Sequence, residues 1–285
     1  EFRRVLFRSL ARWLVSEDNP LAGRVVVNRE WAALFGLGLV PTPDDFGAQG
    51  QAATHPALLD WLAVEFVESG WDVKGMHRRL ALSRAYRQDA AVTPELLELD
   101  PDNVLVSRGP RHRLDGEVIR DQALYAAGLL DETMGGPGVY PYQPDGVWFA
   151  VGYSRSNTVR YSQGPEEHLH RRSLYTFWKR TAPPPNLTTF DAPMRDACVV
   201  KRERTNTPLQ ALVTLNDPTY VEAARFLAAR VLGGPVEVDG AARRVDTLFE
   251  LVLGREAASH EEEALLALVA DLEANYLEDE AAAAA

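Results

Sequence analysis

The chain has 285 residues, 46% hydrophobic and 25% charged, with a formal net charge of −11, which allows one large domain or two smaller ones. No apolar run reaches the roughly 18 residues of a bilayer-crossing helix, and the acidic balance argues against broad nucleic-acid or anionic-membrane binding, which needs clustered and uncancelled Lys and Arg. The single Cys198 excludes an internal disulfide and a multi-thiolate metal site, and without C-x-x-C-H no covalent haem is expected in this chain.

In chain order, residues 1–9 (Glu1-Phe2-Arg3-Arg4-Val5-Leu6-Phe7-Arg8-Ser9) read as an assembly scar rather than a signal peptide. Val25, Val26, Trp31, Leu34 and Phe35 form a helical stripe that stops at Gly36 and Gly38. The two prolines of Val40-Pro41-Thr42-Pro43 force a loop. Thr54 is positioned to cap a helix with Pro56 in its first turn, ending near Ser69-Gly70. Asp72 caps the next, through Met76, Leu80 and Leu82 towards Tyr86, so that Trp71 sits in the turn of a helical hairpin. Thr93-Pro94 starts a short helix that Asp100-Pro101 breaks. Leu114, Val118, Ile119, Leu124 and Leu129 predict a longer helix ending before Gly135-Gly136.

From residue 135 to 206 Gly, Pro, Tyr and Trp dominate and periodicity weakens; only Leu174 to Trp178 reads as a short strand, and Thr181 to Asn186 as polyproline II. Thr207-Pro208 and Asp217-Pro218 each open a helix, the second running to Gly233-Gly234. A helix over Val245 to Leu253 follows, and then Ser259-x-x-Glu262 as a capping box. The fold class is therefore mainly α: a multi-helix domain with a Gly/Pro/aromatic-rich irregular centre, to which a short two- or three-stranded sheet is open. The expected organisation is one domain over residues 10–276, helical over 10–134, irregular over 135–206 and helical over 207–276, with 277–285 a frayed tail.

Charge is unevenly placed. Between Arg155 and Arg204 ten Lys or Arg stand against five Asp or Glu, a local +5 in a chain of −11, whereas Glu256 to the end holds nine acidic residues and no basic one. The acidic end reads as a solvated helix face. In the basic segment Arg171, Arg172, Tyr175, Trp178, Lys179 and Arg180 interleave cations with rings, a composition that suits anionic or sugar-like ligands because Arg binds carboxylate or sulfate bidentately and rings offer stacking faces. Asp191, Arg195, Arg204 and Asn206 extend the candidate surface. The bland alternative is an Arg–carboxylate network that serves only the fold. His168-Leu169-His170 near Glu166 and Glu167 lacks a third fixed ligand and predicts no metal site; His55 supports a helix start. No G-x-S-x-G, H-E-x-x-H, P-loop or G-x-G-x-x-G occurs in its required context.

Several strings are informative together: Val27-Asn28-Arg29, Phe35-Gly36-x-Gly38-Leu39-Val40, Asp45-Phe46-Gly47, His55-Pro56-x-Leu58-Leu59-Asp60-Trp61 and Arg113-Leu114-x-x-Glu117-x-Ile119-Arg120-Asp121. Arg171-Arg172-Ser173-Leu174-Tyr175, Trp178-Lys179-Arg180-Thr181, Phe190-Asp191-Ala192-Pro193 and Arg204-Thr205-Asn206-Thr207-Pro208-Leu209-Gln210 follow in the same order. In this order they resemble the planctomycete-type, cytochrome-associated C-terminal domain of unknown function (the PSD-one family, DUF 1553). Leu37, Glu30 and His170 depart from its usual residues. The resemblance implies an extracytoplasmic protein with haem c in an upstream domain, and partners among the upstream domains of the same polypeptide. It supplies no activity and no catalytic residue. The resulting expectation is a non-catalytic accessory or scaffold domain with a polysaccharide or anionic glycan as candidate ligand; the alternative is a carbohydrate-active or redox-linked enzyme using Asp191, Glu203 or Glu117.

Overall fold

The computed structural model describes residues 2–153, 158–233 and 240–278. Glu1, Arg155 of the basic segment, Gly234 and the last seven residues of the expected tail lie outside the described residues. The chain divides into two compact units, one of Glu1–Arg113 with Val199–Lys201 and one of Leu114–Cys198 with Arg202–Ala285.

The first unit carries α1 (Phe2–Leu14), α2 (Ala22–Phe35), α3 (Pro56–Glu68), α4 (Val73–Ala81) and α5 (Pro94–Leu99). Its core joins Val27, Trp31, Leu59, Leu62, Phe66, Met76 and Leu80 from α2, α3 and α4 with Leu39 and Val40 from the connecting loop. Asn28 is fully buried on α2 and exchanges two hydrogen bonds with Val40: its Nδ2 donates to the carbonyl at 3.0 Å and its Oδ1 accepts from the amide at 2.8 Å. One side chain thus satisfies a loop that two prolines keep out of regular structure. The α3–α4 hairpin turns through Gly70 and Trp71, both left-handed at φ 75° and 64°. The cost of that conformation to Trp71, about 1–2 kcal/mol, is offset by its ring packing edge-on to Phe66 at 5.3 Å. Asp72 caps α4 as expected, accepting from the Gly75 amide at 2.9 Å.

After α5 the chain folds into a tight loop around Asp100, whose buried carboxylate accepts from the amides of Val104 and Leu105 and from the Ser107 hydroxyl. The buried Arg108 closes it by donating to the carbonyls of Asp100 and Pro101. What reads as a helix breaker in the sequence is a built loop.

The second unit carries α6 (Gly116–Ala127), α7 (Val147–Val151), α8 (Glu166–Leu169), a 3-10 turn over Ser173–Tyr175, α9 (Pro185–Thr188), α10 (Pro208–Asn216), α11 (Pro218–Leu232), α12 (Gly240–Leu253) and α13 (Ser259–Glu278). Helix α6 lies along α11 and also meets α9, α12 and the 3-10 turn. Gly116 lets α9 come close: a Cβ there lies 2.9 Å from the Leu187 carbonyl oxygen and 3.0 Å from Phe190 Cβ.

Five expectations are corrected locally. His55, not Thr54, occupies the N-cap position of α3, because the Thr54 hydroxyl is spent on the Leu39 carbonyl. Helix α4 stops at Ala81 and does not reach Tyr86; the Ser83 hydroxyl turns back onto the Leu80 carbonyl. The Leu174–Trp178 strand is a 3-10 turn followed by a single parallel bridge to Val139. Asp121 takes the Ser173 amide, and the Tyr175 and Thr176 amides bond locally, leaving one pair of ladder bonds. Pro185 and Asn186 open α9 instead of continuing polyproline II, Pro185 occupying a first-turn position where its missing N–H costs nothing. Ser259 is already inside α13: the Glu261 carboxylate accepts from the Ala258 amide at 2.9 Å and from Arg255 at 2.7 and 2.8 Å. Those bonds hold the Glu261 carboxyl down at about 2, below its usual 4.5.

The mainly α expectation holds; among the described residues only isolated bridges pair extended backbone. Among the described residues no helix is long and apolar enough to cross a membrane.

Candidate functional site

The family-like strings of the second unit meet on α6. Arg120 is 1% exposed on the face that Gly116, Leu124 and Ala127 bury. Its guanidinium donates to the carbonyls of Leu169 at 2.5 Å and Arg171 at 3.0 Å and to the Ser173 hydroxyl at 3.1 Å. Asp121 lies 3.7 Å away and accepts from the Ser173 amide at 2.8 Å. Burial lowers the Arg120 pKa, with Asp121 the largest opposing influence. Beside it the buried Tyr220 hydroxyl is raised, first by burial and then by Asp217. This pair on α6 fixes where residues 169–173 run.

Arg171 is buried and faces inward: its Nη2 donates to the carbonyls of Thr133 at 2.7 Å and Gly135 at 2.8 Å, and its guanidinium lies 4.2 Å over the Tyr175 ring. The Tyr175 hydroxyl accepts from the Gly135 amide at 2.7 Å. Together they clamp the Gly-rich turn after α6. Asp131 stands 3.8 Å from Arg171, its carboxyl lowered chiefly by its hydrogen bonds from Thr133. Arg172 is half-buried and reaches Met134 Sδ of the same turn at 3.3 Å.

Lys179 donates to the Thr158 carbonyl at 2.6 Å and sits 4.6 Å over Trp148. Trp148 belongs to an aromatic cluster with Tyr140, Tyr161 and Phe177, where burial pushes the Tyr161 hydroxyl up to about 12. Trp178 Nε1 donates to the Met194 carbonyl at 3.0 Å, and Arg195 holds its guanidinium 4.5 Å over the same ring. Arg180 is exposed next to this pair in sequence. The loop that carries Arg195 is bounded by two left-handed residues, Asp191 at φ 61° and Arg195 at φ 60°. Its start is anchored by the Asp191 carboxylate, which accepts from the Thr205 amide at 2.8 Å and from the Thr205 hydroxyl at 3.0 Å. Arg204 and Asn206 are exposed on the run leading into α10, which the buried Gln210 ties back by donating to the carbonyls of Thr189 and Thr205.

The candidate residues therefore fall into separate places. Arg171 and Tyr175 clamp a turn, Lys179 caps an aromatic cluster, and Trp178 and Arg195 form a surface pair. Of the carboxylates considered for acid–base work, Glu117 pairs with Arg202 at 2.7 Å and Asp191 is held by Thr205. His168 lies on α8, and His170 Nε2 meets Glu222 at 3.1 Å. Among the described residues no group of three His, Cys, Asp or Glu is placed to hold a metal ion.

In the sequence Arg120 and Asp121 stand only within a family-like string, which does not announce their role. The available signal was a charged residue at helical spacing from Gly116, Leu124 and Ala127, inside an apolar stripe.

The family model PSD1, described as a protein of unknown function (DUF1553), matches residues 8–269. The chain belongs to this family. The DUF1553 match spans both compact units. No curated protein and no solved structure matches the chain.

Proposed function

We propose that this DUF1553 chain is a non-catalytic accessory domain of a larger exported polypeptide, and that the outward edge of its basic segment binds an anionic polysaccharide. The observation that carries this is the Trp178–Arg195 pair. A guanidinium seated over an indole, with the indole N–H already satisfied by the Met194 carbonyl, is a pre-oriented cation that loses little freedom when an anion arrives. Arg180 adds charge on an exposed position close to Trp178 in sequence, and bidentate Arg contacts suit uronic carboxylates and sulfate esters. The engagement of Glu117 with Arg202 and of Asp191 with Thr205 supports a platform rather than an acid–base centre.

The likeness of the sequence strings to cytochrome-associated chains supports an extracytoplasmic location, with haem c carried by an upstream domain that is also a natural partner. Isothermal titration against a panel of sulfated and uronic oligosaccharides tests the ligand. Trp178→Ala and Arg195→Ala each weaken binding by about tenfold or more; unchanged binding in folded variants removes the glycan from the proposal. A signal peptide and C-x-x-C-H upstream in the parent reading frame support the location and the haem, and their absence withdraws both.

A further inference from the structure

The first unit carries two adjoining clefts that the proposed function does not use. One, of about 360 Å³, lies under the loop of residues 46–53 and is lined by Leu21, Val40, Phe46, Ala53 and Leu59. The other, of about 730 Å³, runs along α3 between Ser16–Pro20 and Glu68, over a floor of Gly23, Ala63, Val64 and Val67. Arg24 and Asp60 line both, and their ion pair, Nε to Oδ1 at 2.7 Å, bridges the groove where the clefts meet.

Two features define what fits. The floor is apolar, while the charged groups lining the larger cleft are Glu17, Asp18, Asp60 and Glu68 against Arg24 alone, and Arg24 is already neutralised by Asp60. Independently, α3 presents Trp61 and Val64 one turn apart, 51% and 54% exposed, with Val64 inside the cleft wall. Trp61 already has one cation near its ring, the Arg79 guanidinium at 5.5 Å, and Arg79 is in turn paired with Glu65. A half-exposed Trp beside Arg is the composition of an interface anchor, and the surplus carboxylates choose the sign of the partner. The strings Asp45-Phe46-Gly47 and His55-Pro56-x-Leu58-Leu59-Asp60-Trp61 supply Phe46, Gly47, Pro56, Leu59 and Asp60 to the smaller cleft, and Trp61 follows Asp60 on α3.

We infer that the groove along α3 docks a basic polypeptide segment with apolar anchors, its side chains seated on Val64 and Val67 and its Lys or Arg groups facing Glu17, Asp18 and Glu68. This does not depend on the glycan proposal, which concerns the other unit.

Short fluorescein-labelled peptides of equal length test it by anisotropy on the full chain: one alternating Leu with Arg, one Leu with Glu, and one Ser with Arg. The Leu–Arg peptide binds about tenfold or more tighter than the other two. Trp61→Ala weakens it by a similar factor, as does the double exchange Asp18→Asn with Glu68→Gln, which alters only exposed rim charges and decides the matter if the Trp variant does not fold. Trp178→Ala leaves peptide binding intact, separating this result from the glycan experiment. Equal binding of the Leu–Arg and Leu–Glu peptides, or retained binding in the folded rim variant, overturns the inference. A dimer in sedimentation that Trp61→Ala disperses makes a second copy the occupant and overturns the basic-peptide assignment.

Discussion

Arg120 is the residue on which the second unit's geometry turns, because a buried guanidinium is costly until its donors are matched. Here the acceptors are two main-chain carbonyls and a serine hydroxyl, with one carboxylate at the edge of ion-pair range. Removing the cation strands those acceptors and leaves Asp121 without its counter-charge. Arg120→Met is expected to cost about 3–5 kcal/mol, read as a lowered urea midpoint. Arg120→Lys rescues little, since a single ammonium cannot reproduce the planar fork that reaches three acceptors. An unchanged midpoint in either variant counts against this role. The residue was visible in the sequence as an Arg in an apolar stripe, but its partners were not. Carbonyl acceptors leave no mark on residue type, so a network built on them is invisible where an Arg–carboxylate network is merely ambiguous.

At the scale of elements, helices that carry their own punctuation were legible. Asp72 and Thr93 cap as read, Pro56, Pro94, Pro208 and Pro218 fall in first turns, and Gly36 and Gly233 sit at C-caps. Helix α6 kept its N-terminal half as read but ends sooner, at Gly128 in the left-handed conformation. Helices α7, α8 and α9, of five, four and four residues, were not legible. A segment of one turn is too short to show a 3.6-residue period, and it persists only because tertiary contacts hold it.

One such contact gives an element-scale prediction. Gly116→Ala, at the first position of α6, improves intrinsic helix propensity by less than the ~1 kcal/mol of a helix interior, and its methyl meets the Leu187 carbonyl and Phe190 Cβ inside contact distance. Because main chain on α9 has to give way, overpacking is expected to outweigh propensity, with net destabilisation of about 1–2 kcal/mol in thermal melting. A variant more stable than the parent shows that α9 yields freely.

At the scale of the whole molecule, the −11 charge and the local +5 act over different distances. Ligand binding at the basic segment is governed by charges within about one Debye length, ~10 Å at 0.1 M salt. Glycan affinity at Trp178 and Arg195 is therefore expected to fall steadily as salt rises, despite the acidic chain; a salt-independent affinity means that stacking, not charge, carries it. The division into two compact units was not legible, since the family-like strings run through both without a compositional linker. The candidate surface was legible only as a stretch of sequence. Arg171 is buried on the carbonyls of the Gly-rich turn while Arg172, one residue on, is half-buried against Met134, a difference that no periodicity announces.

The Arg120 contacts also set an order in time. Its acceptors lie 49 to 53 residues further along the chain. During synthesis at about 5–20 residues per second, α6 is complete roughly 2–9 s before Ser173 is made. Throughout that interval its guanidinium lacks the three acceptors that it holds in the folded chain. The second unit thus has no finished interior to collapse onto as α6 emerges from the ribosome, and docking of that helix waits for the segment it will hold.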